Sequence, residues 1–381
     1  MNNEVVLTNA KLVTPNAVIE GSICLKDGVI HSIDESRSQL STAFDMEGDY
    51  LLPGLVELHT DNLERHFNPR PGVTWPALPA VLAHDALIST AGITTVLNAV
   101  STGALVENSD RIRQFEHMVD AVRYAGQVGA TRAEHLLHIR CEITYEPTLE
   151  NLRVMIHDPL LRLVSVMDHS PGQRQFVDLN QYWKYWQGKY KLTDAEVEAM
   201  IERQTDASQN LGPVYRREIA ALCQEHDLAL ASHDDATEEH IDEAVADNVT
   251  IAEFPTTIEA AEYSRKNGLH VLMGAPNVVR GFSHSGNISA RKLAELGLLD
   301  TLSSDYAPVS LLHAAFVLEQ HYDSISLPQA VAMITKNPAD AAGLHDRGEL
   351  TIGKRADLVQ VKMVDQIPVV GQVWREAMRV V

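Results

Sequence analysis

Cysteine is scarce in this chain, which has three such residues among 381: Cys24, Cys141 and Cys223. An odd number at these spacings fits neither a disulfide framework nor a zinc site built from cysteine. We therefore expect reduced thiols and a cytoplasmic protein. The first residues, MNNEVVLTNAKLV, also lack the basic and apolar regions of a secretory signal.

The chain also has no long apolar run and relatively few basic residues. No uninterrupted apolar run is long enough to span a bilayer, so we expect no membrane partner. Lys and Arg number 31 against 52 Asp and Glu, which gives a formal net charge of −21. This balance argues against a nucleic-acid groove, which needs a basic face. An anionic substrate would have to be held by metals, a few arginines or backbone N–H groups.

The middle of the chain alternates apolar, strand-like runs with helical segments, as βα units around a parallel sheet do. Eight such runs predict an α/β fold, the (β/α)8 TIM barrel, whose active sites lie at the C-terminal strand ends. A doubly wound open sheet is the alternative, although no G-x-G-x-x-G or P-loop opens a βα unit. The candidate strands are 51–59, 93–100, 135–143, 161–170, 228–234, 251–257, 270–277 and 301–308.

Both ends of the chain read as short strands punctuated by turns, such as the hairpin signal Lys26-Asp27-Gly28. We expect residues 1–52 and 348–381 to form one small discontinuous β-sandwich domain. Residues 53–347 are then the barrel domain.

The segment LLPGLVELHTD, residues 51–61, ends in His59-Thr60-Asp61. Alternate residues of a strand share one face, so His59 and Asp61 point the same way at a strand end. Their nitrogen and oxygen atoms suit a divalent metal such as zinc or manganese. An H-x-D pair alone is weak evidence, but further His, Glu and Asp residues follow at later strand ends.

Four more strand ends carry ligand-type side chains: Glu142, His169, His233 and Asp305. Each has an ordinary alternative. Glu142 could pair with Arg140, the segment around His169 could be a turn, and the aspartates after His233 or Asp305 itself could cap helices. The occurrence of such residues at five candidate strand ends in barrel order favours a metal site over these separate explanations.

The segments PGLVELHTD and GELTIGKRADLVQV resemble the amidohydrolase superfamily of metal-dependent (β/α)8 hydrolases with a flanking β-sandwich. A closer resemblance covers nearly the whole chain. It rests on LHTDNLERHFNPRPGVTWPA, MDHSPGQRQF, QGKY, SHDDAT, AEFPTT, MGAPNVVRGFSHSGN, LSSDY and TKNPA. These segments are similar to the α-D-ribose 1-methylphosphonate 5-triphosphate diphosphatase family of the bacterial carbon–phosphorus lyase pathway.

The resemblance implies a binuclear centre of two divalent metals, zinc or manganese, held by His59, Asp61, Glu142, His169, His233 and Asp305. Asp61 stands where the superfamily commonly has a second histidine, and Glu142 takes the place of its carboxylated lysine. Asp305 would also carry the catalytic proton. The implied reaction in phosphonate metabolism removes pyrophosphate from a 5-triphosphate and leaves the 5-phosphate.

Pyrophosphate is highly charged and needs cationic or N–H partners. The candidates are Arg70, Arg140, Arg174, Lys189, Arg280, His284 and Lys336, and the Gly-rich stretch 280–287 could form an anion nest. A solvated charge is the alternative for each side chain, and a plain turn for the stretch.

The sequence is compatible with three functions. The first is the diphosphatase acting on a phosphorylated sugar, with homo-oligomers and contacts to other phosphonate-pathway enzymes left open. The second is a generic amidohydrolase acting on a cyclic amide or an N-acyl substrate. The third is a non-catalytic scaffold, against which the retention of six candidate ligands speaks.

Overall fold

The computed structural model describes residues 4–103, 110–171, 174, 183, 187, 193–283 and 287–381. Two eight-stranded sheets organise these residues, one mixed and one parallel. The mixed sheet contains strands from both chain ends in the order β16-β15-β14-β5-β1-β2-β3, with β4 paired to β1. Its strands are β1 Glu4–Val13, β2 Val18–Lys26, β3 Val29–Asp34, β4 Phe44–Asp45, β5 Tyr50–Pro53, β14 Leu358–Val364, β15 Ile367–Arg375 and β16 Met378–Arg379.

The parallel sheet runs from β6 to β13 in chain order. Thr60 and Asp305 form a bridge between the ends of β6 and β13, so the first and last strands meet as a barrel requires. The predicted (β/α)8 fold is confirmed. The strands are β6 Leu55–Thr60, β7 Ile93–Ser101, β8 Glu134–Glu142, β9 Leu161–Met167, β10 Ala229–His233, β11 Ile251–Glu253, β12 His270–Gly274 and β13 Thr301–Ser303.

Helices follow the barrel strands as the periodicity predicted. They are α1 Asn62–Phe67, α2 Ala77–Thr90, α3 Asp110–Gln127, α4 Thr148–Met155, α5 Asp194–Asn210, α6 Gly212–Glu225, α7 Glu238–Ala246, α8 Ile258–Lys266, α9 Ala275–Arg280, α10 Ala290–Glu295, α11 Ser310–His321, α12 Leu327–Ala332 and α13 Lys336–Ala341. A capping box formed by Thr193 and Glu196 starts α5, and Thr237 and Thr257 cap α7 and α8. No helix in the described part of the chain has the length and apolar character that a bilayer crossing requires.

Several barrel strands are shorter than their apolar runs suggested. Strand β10 is followed by Asp234 with φ 57°, β11 by Phe254 with φ 57°, and Asp305 two residues after β13 has φ 51°. A residue in the left-handed conformation interrupts an extended strand. This conformation has a steric energy cost for residues other than glycine, so it is uncommon among them. The strands therefore end where the candidate functional loops begin.

Two glycine-containing connections are determined by local backbone geometry. Asp27 and Gly28 both have positive φ and close the predicted hairpin between β2 and β3. Gly54 joins β5 to β6, and a Cβ there would lie 2.2 Å from Thr94 Oγ1. Only glycine fits this close approach, which is the structural reason for the Pro53-Gly54 step ahead of the first barrel strand.

The chain divides into two compact units. The first comprises Met1–Asn98, Asp120–Leu136 and Met273–Val381, and the second comprises Ala99–Val119 and Leu137–Leu272. The first contains the mixed sheet, whose core includes Leu7, Leu12, Ile23, Leu358 and Trp374. The proposed domain boundaries at residues 52/53 and 347/348 stay a prediction.

A charged network within the first unit ties the C-terminal segment to the start of two barrel strands. Arg347 and Arg355 both donate to Glu134 Oε2, and both also reach Thr95 Oγ1, at 2.9 and 3.1 Å. Arg355 Nε donates to Asp357 Oδ2 at 2.7 Å. The side chain of Asp357 is 2% exposed, and burial raises its pKa while Arg355 opposes the rise. Asp357 therefore depends on Arg355 for compensation of its charge.

We expect Arg355→Met to lower the free energy of unfolding by about 3 kcal/mol, because it leaves a buried carboxylate uncompensated. Urea unfolding followed by circular dichroism measures this loss. The control is Arg153→Met, which breaks a half-exposed pair with Glu218 and should change stability by less than about 1 kcal/mol. Equal losses in the two variants would contradict the structural role of the network.

Candidate metal centre

The end of β6 carries acidic and imidazole side chains on one face. His59 is 2% exposed. Asp61 occupies the N-cap position of α1, yet its side chain makes no capping hydrogen bond. Its buried Oδ1 accepts no hydrogen bond in the described structure. A buried carboxylate oxygen without a donor suits a cation, so Asp61 fits the ligand role better than the capping role.

Asp305 is held beside this strand end by the backbone. Its N–H donates to the His59 carbonyl at 3.0 Å, and its own carbonyl accepts from Thr60 Oγ1 at 2.9 Å and Asn62 Nδ2 at 3.1 Å. Helix α11 begins five residues later with Val309 as its N-cap, so Asp305 is not a helix cap. These bonds maintain its left-handed backbone, a strained conformation often found at functional sites.

Glu57 is a site residue that the sequence reasoning missed. It is fully buried; Oε1 accepts the His59 N–H at 2.7 Å and Oε2 accepts the Ser304 N–H at 2.6 Å. Burial raises the pKa of this carboxyl to about 7, although both N–H groups favour its ionised form. Glu57 thus fixes the backbone next to His59 and Asp305. The alternation Glu57, His59, Asp61 was the signal that could have identified it.

A second group of ligand-type residues lies within the second compact unit. Glu142 ends β8 and is 2% exposed. Its Oε2 lies 2.6 Å from His169 Nδ1, and its Oε1 accepts from Thr144 Oγ1 at 3.0 Å. Glu142 therefore pairs with His169 and Thr144, and the pairing with Arg140 that the sequence left open is not observed. Asp168 is engaged by Ser170 and by Ser208, so His169 is the member of this segment directed at Glu142.

His233 completes the second group at the end of β10. Its Nδ1 lies 2.7 Å from Oε2 of Glu253, which ends β11 and is fully buried. A carboxylate on one ring nitrogen orients the imidazole, and the other nitrogen, Nε2, lies 3.5 Å from Asp234 Oδ2. Glu253 was also missed, because the strand IAE is too short for alternation to mark one face. Thr237 caps α7, which removes the capping explanation for Asp234 and Asp235.

One ligand atom each from His169, His233 and Asp234 lies within 4.8 Å of the others, a spacing that could hold a metal ion. The two imidazole rings are 5.5 Å apart. Asp234 Oδ2 is buried without a hydrogen-bond partner in the described residues. Of the predicted ligands, His59, Asp61 and Asp305 belong to the first compact unit, and Glu142, His169 and His233 to the second. Their joint role as a binuclear centre stays a prediction.

Arg140 is a buried arginine that has no acidic partner among the described residues. It is 9% exposed, and its Nε has no hydrogen-bond partner. Within the described ranges its guanidinium has no carboxylate within ion-pair distance. It shares a strand face with Glu142, two residues further along β8. An uncompensated buried cation is costly, and the lack of an acidic partner among the described residues supports the prediction, still untested, that Arg140 binds an anion.

Arg174 has an internal partner instead. Its guanidinium donates to Asp235 and, at 3.3 Å, to the carbonyl of His233, and its side chain is 9% exposed. Ser232 also donates to Asp235. These contacts support the loop that carries His233 and Asp234. Phosphate binding by Arg174 stays a prediction, but the observed contacts are those of a positioning residue.

The remaining phosphate candidates fall into three classes. Arg70 is exposed in a tight turn with Val73. Lys336 is held by Asp340 at 2.5 Å and lies 3.5 Å from Glu349. Arg280 is exposed at the end of α9, where it contacts Tyr306 Oη at 3.4 Å. Lys189, His284 and part of the stretch 280–287 lie outside the described residues.

Comparison with known proteins identifies relatives over the full chain. A sequence model described as the amidohydrolase family matches residues 86–367. The chain is 50% identical over 376 residues to α-D-ribose 1-methylphosphonate 5-triphosphate diphosphatase of Escherichia coli strain K12, covering 98% of this chain and 100% of that protein. A dihydroorotase of Methanopyrus kandleri is 34% identical over 102 residues, covering 22% and 23%.

Solved structures support the fold. The 5-methylcytosine deaminase of Klebsiella pneumoniae matches with a TM-score of 0.67 at 15% identity, covering 99% of this chain and 98% of that one. The N-acetylglucosamine-6-phosphate deacetylase of Pasteurella multocida matches with a TM-score of 0.64 at 12% identity, covering 98% of both chains. At such identities the likeness concerns architecture alone.

Glu57 should be required both for the stability of the fold and for metal binding. Glu57→Gln keeps the side-chain volume but turns an NH2 group toward one of two backbone N–H donors. We expect the free energy of unfolding to fall by about 2 kcal/mol, and metal content to fall with it. Urea unfolding and elemental analysis of the same sample measure both. Exposed Glu262→Gln on α8 is the control. Unchanged metal content and stability in the Glu57 variant would contradict its role.

Proposed function

Because the chain belongs to the amidohydrolase family, we propose that it hydrolyses α-D-ribose 1-methylphosphonate 5-triphosphate to the 5-phosphate and pyrophosphate. The observation that carries this proposal is the 50% identity to the Escherichia coli diphosphatase over the whole of that protein. A cyclic-amide substrate has weaker support, since the dihydroorotase matches cover 22% and 34% of the chain. The buried carboxylates and imidazoles at the strand ends argue against a non-catalytic scaffold.

The ligand set supports two divalent metal ions, zinc or manganese. We assign His59, Asp61, Glu142, His169, His233 and Asp305 as ligands. Imidazole and carboxylate donors suit both metals, and the unpartnered oxygen of Asp61 is the kind of atom that a cation would satisfy. Such metals lower the pKa of water and offset charge on phosphoryl oxygens. Elemental analysis of the purified protein, followed by chelation and reconstitution with each metal, distinguishes zinc from manganese.

The chain's own residues would position the reactants and move the proton. Asp305 takes a proton from the attacking water as the new P–O bond forms. The bond to the departing pyrophosphate breaks, and the pyrophosphate leaves as an anion that needs little protonation. Glu57 keeps His59 and Asp305 in position by accepting hydrogen bonds from the N–H groups of His59 and of Ser304, which precedes Asp305. Arg140 binds an anionic oxygen of the substrate, which compensates a charge that has no acidic partner among the described residues.

Substrate comparison tests this function against the alternative. Purified protein should release pyrophosphate from the ribosyl triphosphate and leave dihydroorotate and N-acyl amino acids unchanged. The reverse preference would support the amidohydrolase alternative. We further propose a cytoplasmic location, supported by three cysteines without disulfides. Homo-oligomers and contacts with other enzymes of the pathway can be tested by light scattering of the protein alone and in mixtures.

The assignment of Asp305 predicts the behaviour of its amide variant. Asp305→Asn keeps the side-chain shape but removes the proton acceptor. We expect the fold and much of the metal to remain while kcat falls by about 10²–10⁴-fold, the range for loss of a general base. Metal content and pyrophosphate release are measured on the same sample. A variant with full metal and near-normal turnover would place the base elsewhere, with Asp234 the next residue to test.

The charge of Arg140 should lower the stability of the fold while it supports activity. Arg140→Met removes a buried charge that has no internal partner, so the free energy of unfolding should stay equal or rise. The kcat/KM should fall about 10–150-fold because a charged contact to the substrate is lost. Exposed Arg217→Met on α6 is the control and should change neither quantity. A large loss of stability, or an unchanged kcat/KM, would contradict the assignment.

A further inference from the structure

Two arginines lie against Tyr306, the residue that follows Asp305. Arg65 on α1 donates from Nη1 to the Tyr306 carbonyl at 3.4 Å, and its guanidinium carbon is 5.9 Å from the centre of the tyrosine ring. Arg280, the last residue of α9, donates from Nη1 to Tyr306 Oη at 3.4 Å. The two guanidinium groups therefore meet one tyrosine at its backbone and at its hydroxyl.

These two arginines have no acidic partner in the part of the chain that the structure describes. Neither guanidinium has a carboxylate within 4.0 Å anywhere in the described ranges, whereas Arg174, Arg347 and Arg355 are all bound to acidic side chains. A chain with 52 acidic and 31 basic residues offers carboxylates freely. Each guanidinium carries five N–H donors, and one long bond to a neutral oxygen leaves most of them available to a ligand.

The local backbone keeps both arginines in place. Arg65 lies four residues after Asp61, on the short helix that starts directly after that ligand candidate. Arg280 precedes Gly281, whose φ of 85° ends α9, and it packs 4.6 Å from the ring centre of Phe282. Arg291 Nε donates to the Val278 carbonyl at 2.6 Å and so fixes the end of the helix.

We propose that Arg65 and Arg280 form an anion clamp, organised by Tyr306, for the two phosphates that leave as pyrophosphate. The inference rests on the proposed function, because that function supplies a substrate with a triphosphate tail. Guanidinium groups recognise phosphate oxygens through paired, charge-assisted hydrogen bonds. The position next to Asp305 places this recognition beside the proposed proton acceptor. Tyr306 is a positioning residue in the clamp, since it orders the two cations without carrying charge itself.

Binding without turnover tests the clamp directly. Isothermal titration calorimetry measures the affinity of the metal-loaded protein for inorganic pyrophosphate, with methylphosphonate as a second probe for the opposite end of the substrate. We expect Arg65→Met and Arg280→Met each to weaken pyrophosphate binding by about 10–150-fold, the range for a charged hydrogen bond. Methylphosphonate binding should stay unchanged. Tyr306→Phe should also weaken pyrophosphate binding, but less than Arg280→Met does. It removes the hydroxyl that Arg280 contacts and keeps the carbonyl that Arg65 contacts.

The control is Arg37→Met, which removes an exposed arginine after β3 and should leave both affinities unchanged. Circular dichroism and metal content show whether each variant is folded and loaded. Unaltered pyrophosphate binding in the Arg65 and Arg280 variants would overturn the clamp, as would wild-type protein that binds no pyrophosphate. Loss of methylphosphonate binding in place of pyrophosphate binding would also overturn it.

Calorimetry, combined with the pyrophosphate-release assay on the triphosphate, separates the clamp from the function. If wild-type protein releases pyrophosphate from the triphosphate but its pyrophosphate affinity does not depend on Arg65 or Arg280, the clamp fails alone. If it shows no turnover but pyrophosphate affinity falls in both variants, the clamp stands and the proposed function fails.

Discussion

The pair of hydrogen bonds accepted by Glu57 is the interaction on which the first half of the site depends. One carboxylate holds the backbone N–H groups of His59 and Ser304, and so joins the first barrel strand to the segment after the last. Asp305 then adopts a left-handed backbone that the His59 carbonyl, Thr60 and Asn62 maintain. Burying Glu57 is costly, and the two bonds offset that cost while defining where the ligands lie.

The sequence predicted the barrel and the ligand-type residues because both follow from simple patterns. Eight apolar runs gave the strands, and polar residues at their ends marked the site. It could not predict Glu253 or the Arg174–Asp235 contact, because these depend on which strand ends and loops meet in space. Strand lengths were overestimated for a related reason. Asp234, Phe254 and Asp305 end extended backbone through a positive φ, which residue type alone does not reveal.

Several arginines of this chain have a structural role because they pair with carboxylates. Arg347 and Arg355 both pair with Glu134 at the start of β8, and Arg174 supports a loop through Asp235. Arg140, Arg65 and Arg280 have no such partner among the described residues. Arg37 and Arg217 also lack an acidic partner there, so this feature alone does not mark a ligand site. Arg65 and Arg280 are distinguished by their shared contact with Tyr306, the residue after Asp305, and Arg140 by its burial. In a chain with a net charge of −21, such local cations are what a highly anionic substrate would require.

Hydrolysis of the ribosyl triphosphate in ¹⁸O-enriched water, followed by mass spectrometry of all products, tests the central claim most directly. We predict two products, pyrophosphate and the 5-phosphate, with one ¹⁸O atom incorporated per turnover. The labelled product also identifies the phosphorus that is attacked. Release of orthophosphate with a 5-diphosphate, or the absence of metal-dependent hydrolysis, would contradict the proposed diphosphatase activity.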